Sequence, residues 1–294
     1  MHKSNGYRTL TVGLSVAICL LAANGAAWAQ QLAHNTPSQL DIYCSGTITD
    51  QPVAKDIYVI SGEDSGFKSS FTEGDAIYIN TGTDHGTRVG DQFEVVRPVT
   101  DVMAVTPWFK YQTRLSRAMG TRYDDIGLVR VVHVNAKTST VEVSLSCDRF
   151  QRGDLIRPFK ARPVPQFHNT SLDPFAAPSG KKTAMVVSAK DYMVLNGTGK
   201  IMYVNLGGQQ GVRIGDYFRV FRYQGSYNDT NYQVKKSAYK MDGYGGTPVP
   251  YLWSDLPRQV LGEGIVLRMG PNSSTVLLTN SREEIFAGDY VEVE

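Results

Sequence analysis

The sequence predicts an all-β protein made of two tandem small β-barrel modules joined by a proline-rich linker. Three observations lead to this fold class: an internal repeat, a period-two alternation of apolar residues, and glycine-aspartate turns that recur in both copies. The first matched set is Tyr78, Asn80, Gly82, Gly86, Gly90, Asp91, Phe93 and Arg97, which recurs with the same spacing as Tyr203, Asn205, Gly207, Gly211, Gly215, Asp216, Phe218 and Arg222. The second set is Gly127, Val131, Thr140, Val141, Gly153 and Asp154, which recurs as Gly262, Val266, Thr275, Val276, Gly288 and Asp289. Because the matched positions are mainly glycines, turn residues and alternating apolar residues, we interpret the repeat as specifying a fold and expect no repeated catalytic group.

Each copy is predicted to contain two strand pairs separated by an insert of unlike sequence. In the first copy, residues 76–80 and 93–97 alternate apolar and polar side chains and are rich in Val, Ile, Tyr and Phe, which is typical of strands. Residues 128–134 and 141–145 flank a polar turn and place alternate apolar residues on one face. We therefore expect a hairpin with one buried side.

The turns between these strands are predicted from glycine and aspartate. Glycine adopts positive φ without steric cost, and aspartate accepts hydrogen bonds from its following backbone. The predicted structural turns are Gly86, Gly90-Asp91, Gly153-Asp154, Gly211, Gly215-Asp216 and Gly288-Asp289. Their spacing matches neither the dinucleotide-binding fingerprint nor the P-loop, so we expect no nucleotide cofactor at these glycines.

The beginning of the chain has the pattern of a secretory signal peptide over residues 1–29. Lys3 and Arg8 form its basic end, residues 9–22 its apolar run, and Ala27-Trp28-Ala29 its cleavage site. We expect a first module at 30–158, a linker at 159–181 and a second module at 182–294. The linker prediction depends on Pro163, Pro165, Pro174 and Pro178, which disfavour helix and central strand. The expected location is the periplasm or the extracellular space, with no transmembrane segment after signal cleavage.

The mature composition excludes one class of partner and suggests a cross-link. The chain has 30 Lys and Arg and 28 Asp and Glu, and cleavage removes two of the cations, so the mature net charge is close to zero. Since nucleic-acid-binding proteins concentrate Lys and Arg in a basic patch, we expect no nucleic-acid partner. Cys44 and Cys147 remain in a compartment that permits disulfides, so we expect a bridge between them, with two buried free thiols as the alternative.

Catalytic and metal motifs are weak in this sequence. Three Ser-x-x-Lys matches occur, but no Lys-Thr-Gly motif follows them, as it would in penicillin-binding proteins. The four mature histidines, His34, His85, His133 and His168, lack zinc-ligand spacing, although folding is able to gather distant ligands. We expect no catalytic residue, no metal and no cofactor, and we keep a hydrolase of unknown type as the third hypothesis.

The unmatched inserts are the better candidates for a binding surface. They contain Trp108, Tyr111, Tyr227, Tyr232, Tyr239, Tyr244, Tyr251 and Trp253. Tyrosine and tryptophan combine apolar faces with a hydrogen-bonding edge, which suits protein or sugar surfaces. The alternative is that these rings cover the ends of the barrels.

The repeated pattern resembles the C-terminal domain of flagellar assembly protein T and related small β-barrel modules of exported bacterial proteins. The resemblance depends on Tyr-Ile/Val-Asn-x-Gly-x3-Gly-x3-Gly-Asp-x-Phe and on the later Gly-Asp-x-Ile/Val, and it covers residues 76–96 and 127–156 with their copies at 201–220 and 262–291. It implies a small all-β module in an exported, non-enzymatic protein of a periplasmic ring. This chain differs because it carries the module twice and has no long α/β region ahead of it.

Together these observations favour a non-enzymatic, exported structural or assembly component of the bacterial envelope that binds envelope proteins through its aromatic inserts. The alternative is a module that binds peptidoglycan or another glycan. The sequence leaves the identity of the partner and the oligomeric state open.

Overall fold

The computed structural model describes residues 36–99, 110–168, 172–223, 240–241, 244–245 and 257–294, and it has an all-β architecture. The strands are β1 (Thr47–Thr49), β2 (Val59–Gly62), β3 (Ala76–Ile79), β4 (Gln92–Pro98), β5 (Thr121–Val134), β6 (Ser139–Ser146), β7 (Leu155–Pro158), β8 (Thr183–Ala189), β9 (Ile201–Val204), β10 (Tyr217–Arg222), β11 (Lys240–Met241), β12 (Tyr244–Gly245), β13 (Gln259–Met269), β14 (Ser274–Ser281) and β15 (Tyr290–Val293). In the described part of the chain, two α-helices accompany them, α1 (Gln39–Tyr43) and α2 (Lys110–Met119). None of the described helices is long and apolar enough to cross a membrane.

The first copy forms a seven-stranded antiparallel sheet with the order β2-β3-β6-β5-β4-β7, and β1 adds to β5. The two ends of this order approach each other, because the Val59 amide donates to the Asp154 carbonyl and the Ile156 amide donates to the Ile57 carbonyl. An isolated bridge pairs Tyr58 with Leu155. The sheet therefore curls around its own core.

The second copy forms a closed six-stranded barrel with the order β10-β13-β14-β9-β8-β15. Its closure repeats the geometry of the first copy, because the Val186 amide donates to the Asp289 carbonyl. The all-β fold class predicted from the repeat is confirmed.

One charged pair recurs in both copies beside the closing strand. Arg97 forms a two-pronged contact with Asp154 at 2.7 and 2.9 Å, and Arg222 forms the same contact with Asp289 at 2.7 and 2.7 Å. Each carboxylate also accepts a backbone N–H three residues earlier. The repeated aspartates therefore hold a turn and an arginine together, which is more than the turn role expected from the sequence.

The predicted turn glycines have left-handed backbone conformations where the chain reverses. Gly86 and Gly211 end matching 3-10 turns with φ of 79° and 91°. Gly90, Gly153, Gly215 and Gly288 also have positive φ.

Each copy has its own apolar core, and a disulfide fixes the start of the first. The first core includes Ile77, Val95, Val129 and Phe150, and the second is its counterpart in the closed barrel. Cys44 and Cys147 are bonded, with Cα atoms 5.3 Å apart, so the predicted bridge is confirmed. It joins the end of α1 to the segment after β6.

Helix α2 was not predicted from the sequence. It lies in the insert of the first copy and buries Met119 at its end. The segment has few apolar residues, so the strand alternation used for the rest of the chain gave no signal there.

Candidate functional site at the module junction

Residues 36–294 form one compact unit, and the two modules meet in a buried junction. An apolar cluster spans it, with Ile42, Ile48 and Met119 from the first copy packed against the second. Alternate side chains of strand β9 belong to two different apolar clusters. Met202 and Val204 face the barrel interior, whereas Ile201 and Tyr203 belong to the junction cluster.

The segment around β1 supplies several backbone acceptors across the junction. The Tyr203 hydroxyl donates to the Ser45 carbonyl at 2.9 Å, and the Ser273 hydroxyl donates to the Ile48 carbonyl. Gly46 has φ of +68°, and a Cβ at this position would lie 2.5 Å from the Tyr203 hydroxyl oxygen. Glycine is therefore required here both for its conformation and for the close approach of the second module.

Asp125 on β5 is the electrostatic centre of the junction. Its side chain is only 3% exposed, and it accepts from the Gly46 amide at 2.9 Å, from both terminal nitrogens of Arg162 at 3.1 Å, and from Arg268 Nη1 at 2.9 and 3.1 Å. Burial opposes ionisation, but the Arg268 and Arg162 guanidinium groups outweigh it and lower the pKa of Asp125. The carboxylate is therefore ionised and joins β5, the linker and β13.

Glu94 on β4 is another buried carboxylate of the junction, beside Asp125. Its Oε2 atom lies 2.6 Å from Arg157 Nη2 and 3.0 Å from Arg162 Nη2. Arg162 thus contacts both buried carboxylates, and its Nη1 also donates to the Ile42 carbonyl at 2.7 Å. The linker residue Arg162 is 9% exposed at its side chain, so this part of the linker is a component of the junction and not a solvated spacer.

A second buried cation, Arg122, connects the modules on another side. Its Nε donates to Asp124 at 2.7 Å and its Nη1 donates to the Ala189 carbonyl at 3.2 Å. The guanidinium lies over the rings of Tyr192 and Tyr203, with its Cζ 4.5 and 4.9 Å from their centroids. Burial also raises the pKa of the Tyr203 hydroxyl, which stays protonated as the donor to Ser45.

A cleft of about 410 Å³ opens at the surface of this junction. Its wall carries Glu94, Arg157, Lys160, Arg162 and Arg268. Its apolar part includes Pro158, Pro163, Ile214, Leu267 and Met269. Clefts between domains that combine apolar walls with a few charged groups are the usual form of a small-ligand site.

Among the described residues, the fold gathers one group of metal-ligating residue types that sequence spacing did not reveal. Ligand atoms of His168, Glu263 and Glu294 lie within 4.8 Å of one another. Arg219 forms an ion pair with Glu294 at 2.9 Å, and the His168 ring stacks on Tyr217. These contacts form a local cluster of charges and rings where the linker residue His168 meets the second barrel.

The predicted aromatic surface lies almost entirely outside the described residues. This holds for Trp108, Tyr227, Tyr232, Tyr239, Tyr251 and Trp253, while Tyr111 and Tyr244 are described by their backbone alone, in α2 and β12. The aromatic-surface hypothesis therefore stays a prediction. The signal-peptide prediction for residues 1–29 also falls outside the described residues.

Sequence reasoning missed the junction site. One signal was present, namely a single arginine among the prolines of the linker, at Arg162. Comparison of the chain with protein-family models and with curated proteins finds no match. The resemblance to flagellar assembly protein T therefore stays a hypothesis drawn from the repeated motif.

Proposed function

We propose that this protein is a non-enzymatic, exported structural or assembly component of a bacterial cell envelope, in which two β modules are held in a fixed arrangement to bind envelope proteins. The observation that carries the proposal is the junction centred on Asp125. Burying the Asp125 carboxylate costs desolvation free energy. This cost is offset only while Arg162 of the linker and Arg268 of the second module remain in contact with the carboxylate. Such a connection suits a rigid spacer or adaptor between partners.

The disulfide supports the same role. It anchors α1 and the β1 segment, which together supply Ile42, Ser45, Gly46 and Ile48 to the junction. A disulfide persists in an oxidising compartment outside the cytoplasm, which agrees with the export signal expected at residues 1–29.

The proposal is tested with the purified mature chain, residues 30–294, in two binding assays. One assay recovers partners from envelope extract and then repeats the binding with each identified protein after purification. The other measures sedimentation with purified peptidoglycan.

Direct binding to a purified envelope protein, weakened by the junction variant Asp125→Asn and unaffected by the surface variant Glu142→Gln, is the expected result. Asp125 is buried, whereas Glu142 forms an exposed pair with Arg130. Sedimentation with peptidoglycan, without any protein partner, would replace this proposal by the glycan-binding alternative.

A further inference from the structure

The charges around the junction cleft do not balance. Three guanidinium groups, those of Arg157, Arg162 and Arg268, surround two carboxylates, those of Glu94 and Asp125. Lys160 adds an exposed cation to the wall, and it has no ion pair with any described residue. The cleft therefore has an excess of positive charge beside a buried network.

The arginines also retain donors that their protein partners do not use. Within the described part of the chain, Arg268 donates its hydrogen bonds from Nη1, and Arg157 contacts Glu94 through Nε and Nη2. Burial, together with the neighbouring Arg162 and Arg157, lowers the pKa of Arg268 from its usual range. An anion in the cleft would relieve this crowding of like charges.

The shape of the cleft limits the size of the ligand. Its volume of about 410 Å³ is near the lower end of small-molecule sites. Pro158, Pro163 and Ile214 provide apolar wall beside the cations. A single acidic group on a short apolar body fits this combination, since guanidinium groups pair with planar or tetrahedral oxyanions through parallel hydrogen bonds.

We propose that the junction cleft binds a small organic oxyanion, with the carboxylate or phosphate group held by Arg157, Lys160 and Arg268 and the attached body lying against Pro158, Pro163 and Ile214. This inference does not depend on the proposed structural role, because a scaffold needs no small ligand. The two oxyanion types share the same recognition chemistry, and the probes below separate them.

The test is isothermal titration calorimetry of the full mature chain at low ionic strength with two probes, pentanoate and inorganic phosphate. We expect saturable binding of at least one probe, with an affinity that falls as NaCl is added because the site is partly exposed. Binding of pentanoate alone assigns the site to carboxylates, and binding of phosphate alone assigns it to phosphates. Absence of binding of both probes up to about 10 mM, above the millimolar Kd of a weak small-ligand contact, overturns the proposal.

Two cleft variants and one control locate the site. Lys160→Ala removes an exposed cation and should raise the Kd by up to about fivefold, the range of an exposed ion pair. Arg157→Gln removes a charged donor and should raise the Kd on the order of tenfold or more. Lys137→Ala removes an exposed lysine from the turn between β5 and β6 and should bind as the unmodified chain does.

Circular dichroism and thermal unfolding of each variant show whether it is folded. Lys160 is exposed and has no described ion pair, so its removal should leave stability unchanged even if Arg157→Gln is destabilised. Equal affinity of Lys160→Ala and the unmodified chain, with Lys137→Ala reduced instead, would place the anion elsewhere and refute the assignment to the cleft.

Discussion

Replacing Asp125 by asparagine removes the negative charge at the module junction with little change in shape. The Asp125 carboxylate is 3% exposed and contacts Arg162, which is 9% exposed, and Arg268, which is 15% exposed. Asparagine would keep one acceptor but turn an amide N–H₂ group toward donors. The result is two cations that have lost a shared counter-ion in a mostly buried site.

The expected cost follows from this geometry. Breaking a buried ion pair by removing one partner costs about 3–5 kcal/mol. The partial exposure of both arginines, and the second contact of Arg162 with Glu94 at 3.0 Å, favour the lower end of this range. For a chain of this size, about 3 kcal/mol corresponds to a decrease in Tm of about 6–12 °C.

The assay is thermal and urea unfolding of the unmodified chain, Asp125→Asn and the control Glu142→Gln. Glu142 and Arg130 are 45% and 55% exposed and 3.4 Å apart, so the control should change the free energy of unfolding by less than about 0.5 kcal/mol. If Asp125→Asn is as stable as the control, the junction is not held by this carboxylate and the reasoning is wrong.

The pH dependence gives an independent check of the same residue. Although burial raises the pKa of Asp125, Arg268 and Arg162 lower it below its ordinary value. A group with a lowered folded pKa contributes stability that is present above its unfolded pKa, about 3.9, and is lost as pH falls through the folded pKa. The difference in stability between the unmodified chain and Asp125→Asn should therefore shrink below about pH 4.

Three further predictions concern the fold of the modules. Gly86→Val should lower the free energy of unfolding by about 1–3 kcal/mol, because φ is +79° and a β-branched residue is strained there, and an unchanged Tm would contradict this. The denatured, unreduced mature chain, residues 30–294, should contain no free thiol. Reduction of Cys44–Cys147, which closes a loop with a sequence separation of 103, should lower the free energy of unfolding by about 4–5 kcal/mol. Reduction should shift the unfolding of both modules, since the anchored segment contacts each, and a shift confined to one module would refute this coupling. Burial, opposed by Arg222, raises the pKa of Asp289. This group therefore contributes stability that is present below its unfolded pKa of about 3.9 and is lost as pH rises through the folded pKa. Asp289→Asn should remove that contribution, and parallel Tm profiles of the two proteins from about pH 3 to pH 7 would contradict this prediction.

The sequence by itself determined the modules because their information is local. Alternating apolar residues specify which face of each strand is buried, and glycines such as Gly86 and Gly211 specify where the chain reverses. Both signals act over a few residues, so they can be read twice along the chain and compared. Helix α2 escaped this reasoning, because it lies in an insert whose sequence is not repeated and it has little apolar pattern.

The tertiary structure decided how the two modules are joined. Asp125 and Arg268 are 143 residues apart, and neither belongs to a motif that distinguishes it from an ordinary surface charge. Tyr78 and Tyr203 occupy the same position in the two copies, yet Tyr78 is half-buried whereas Tyr203 is fully buried against Ser45. The physical reason is that the burial and pairing of a side chain depend on the neighbours that folding brings to it, and for the junction those neighbours come from distant parts of the chain.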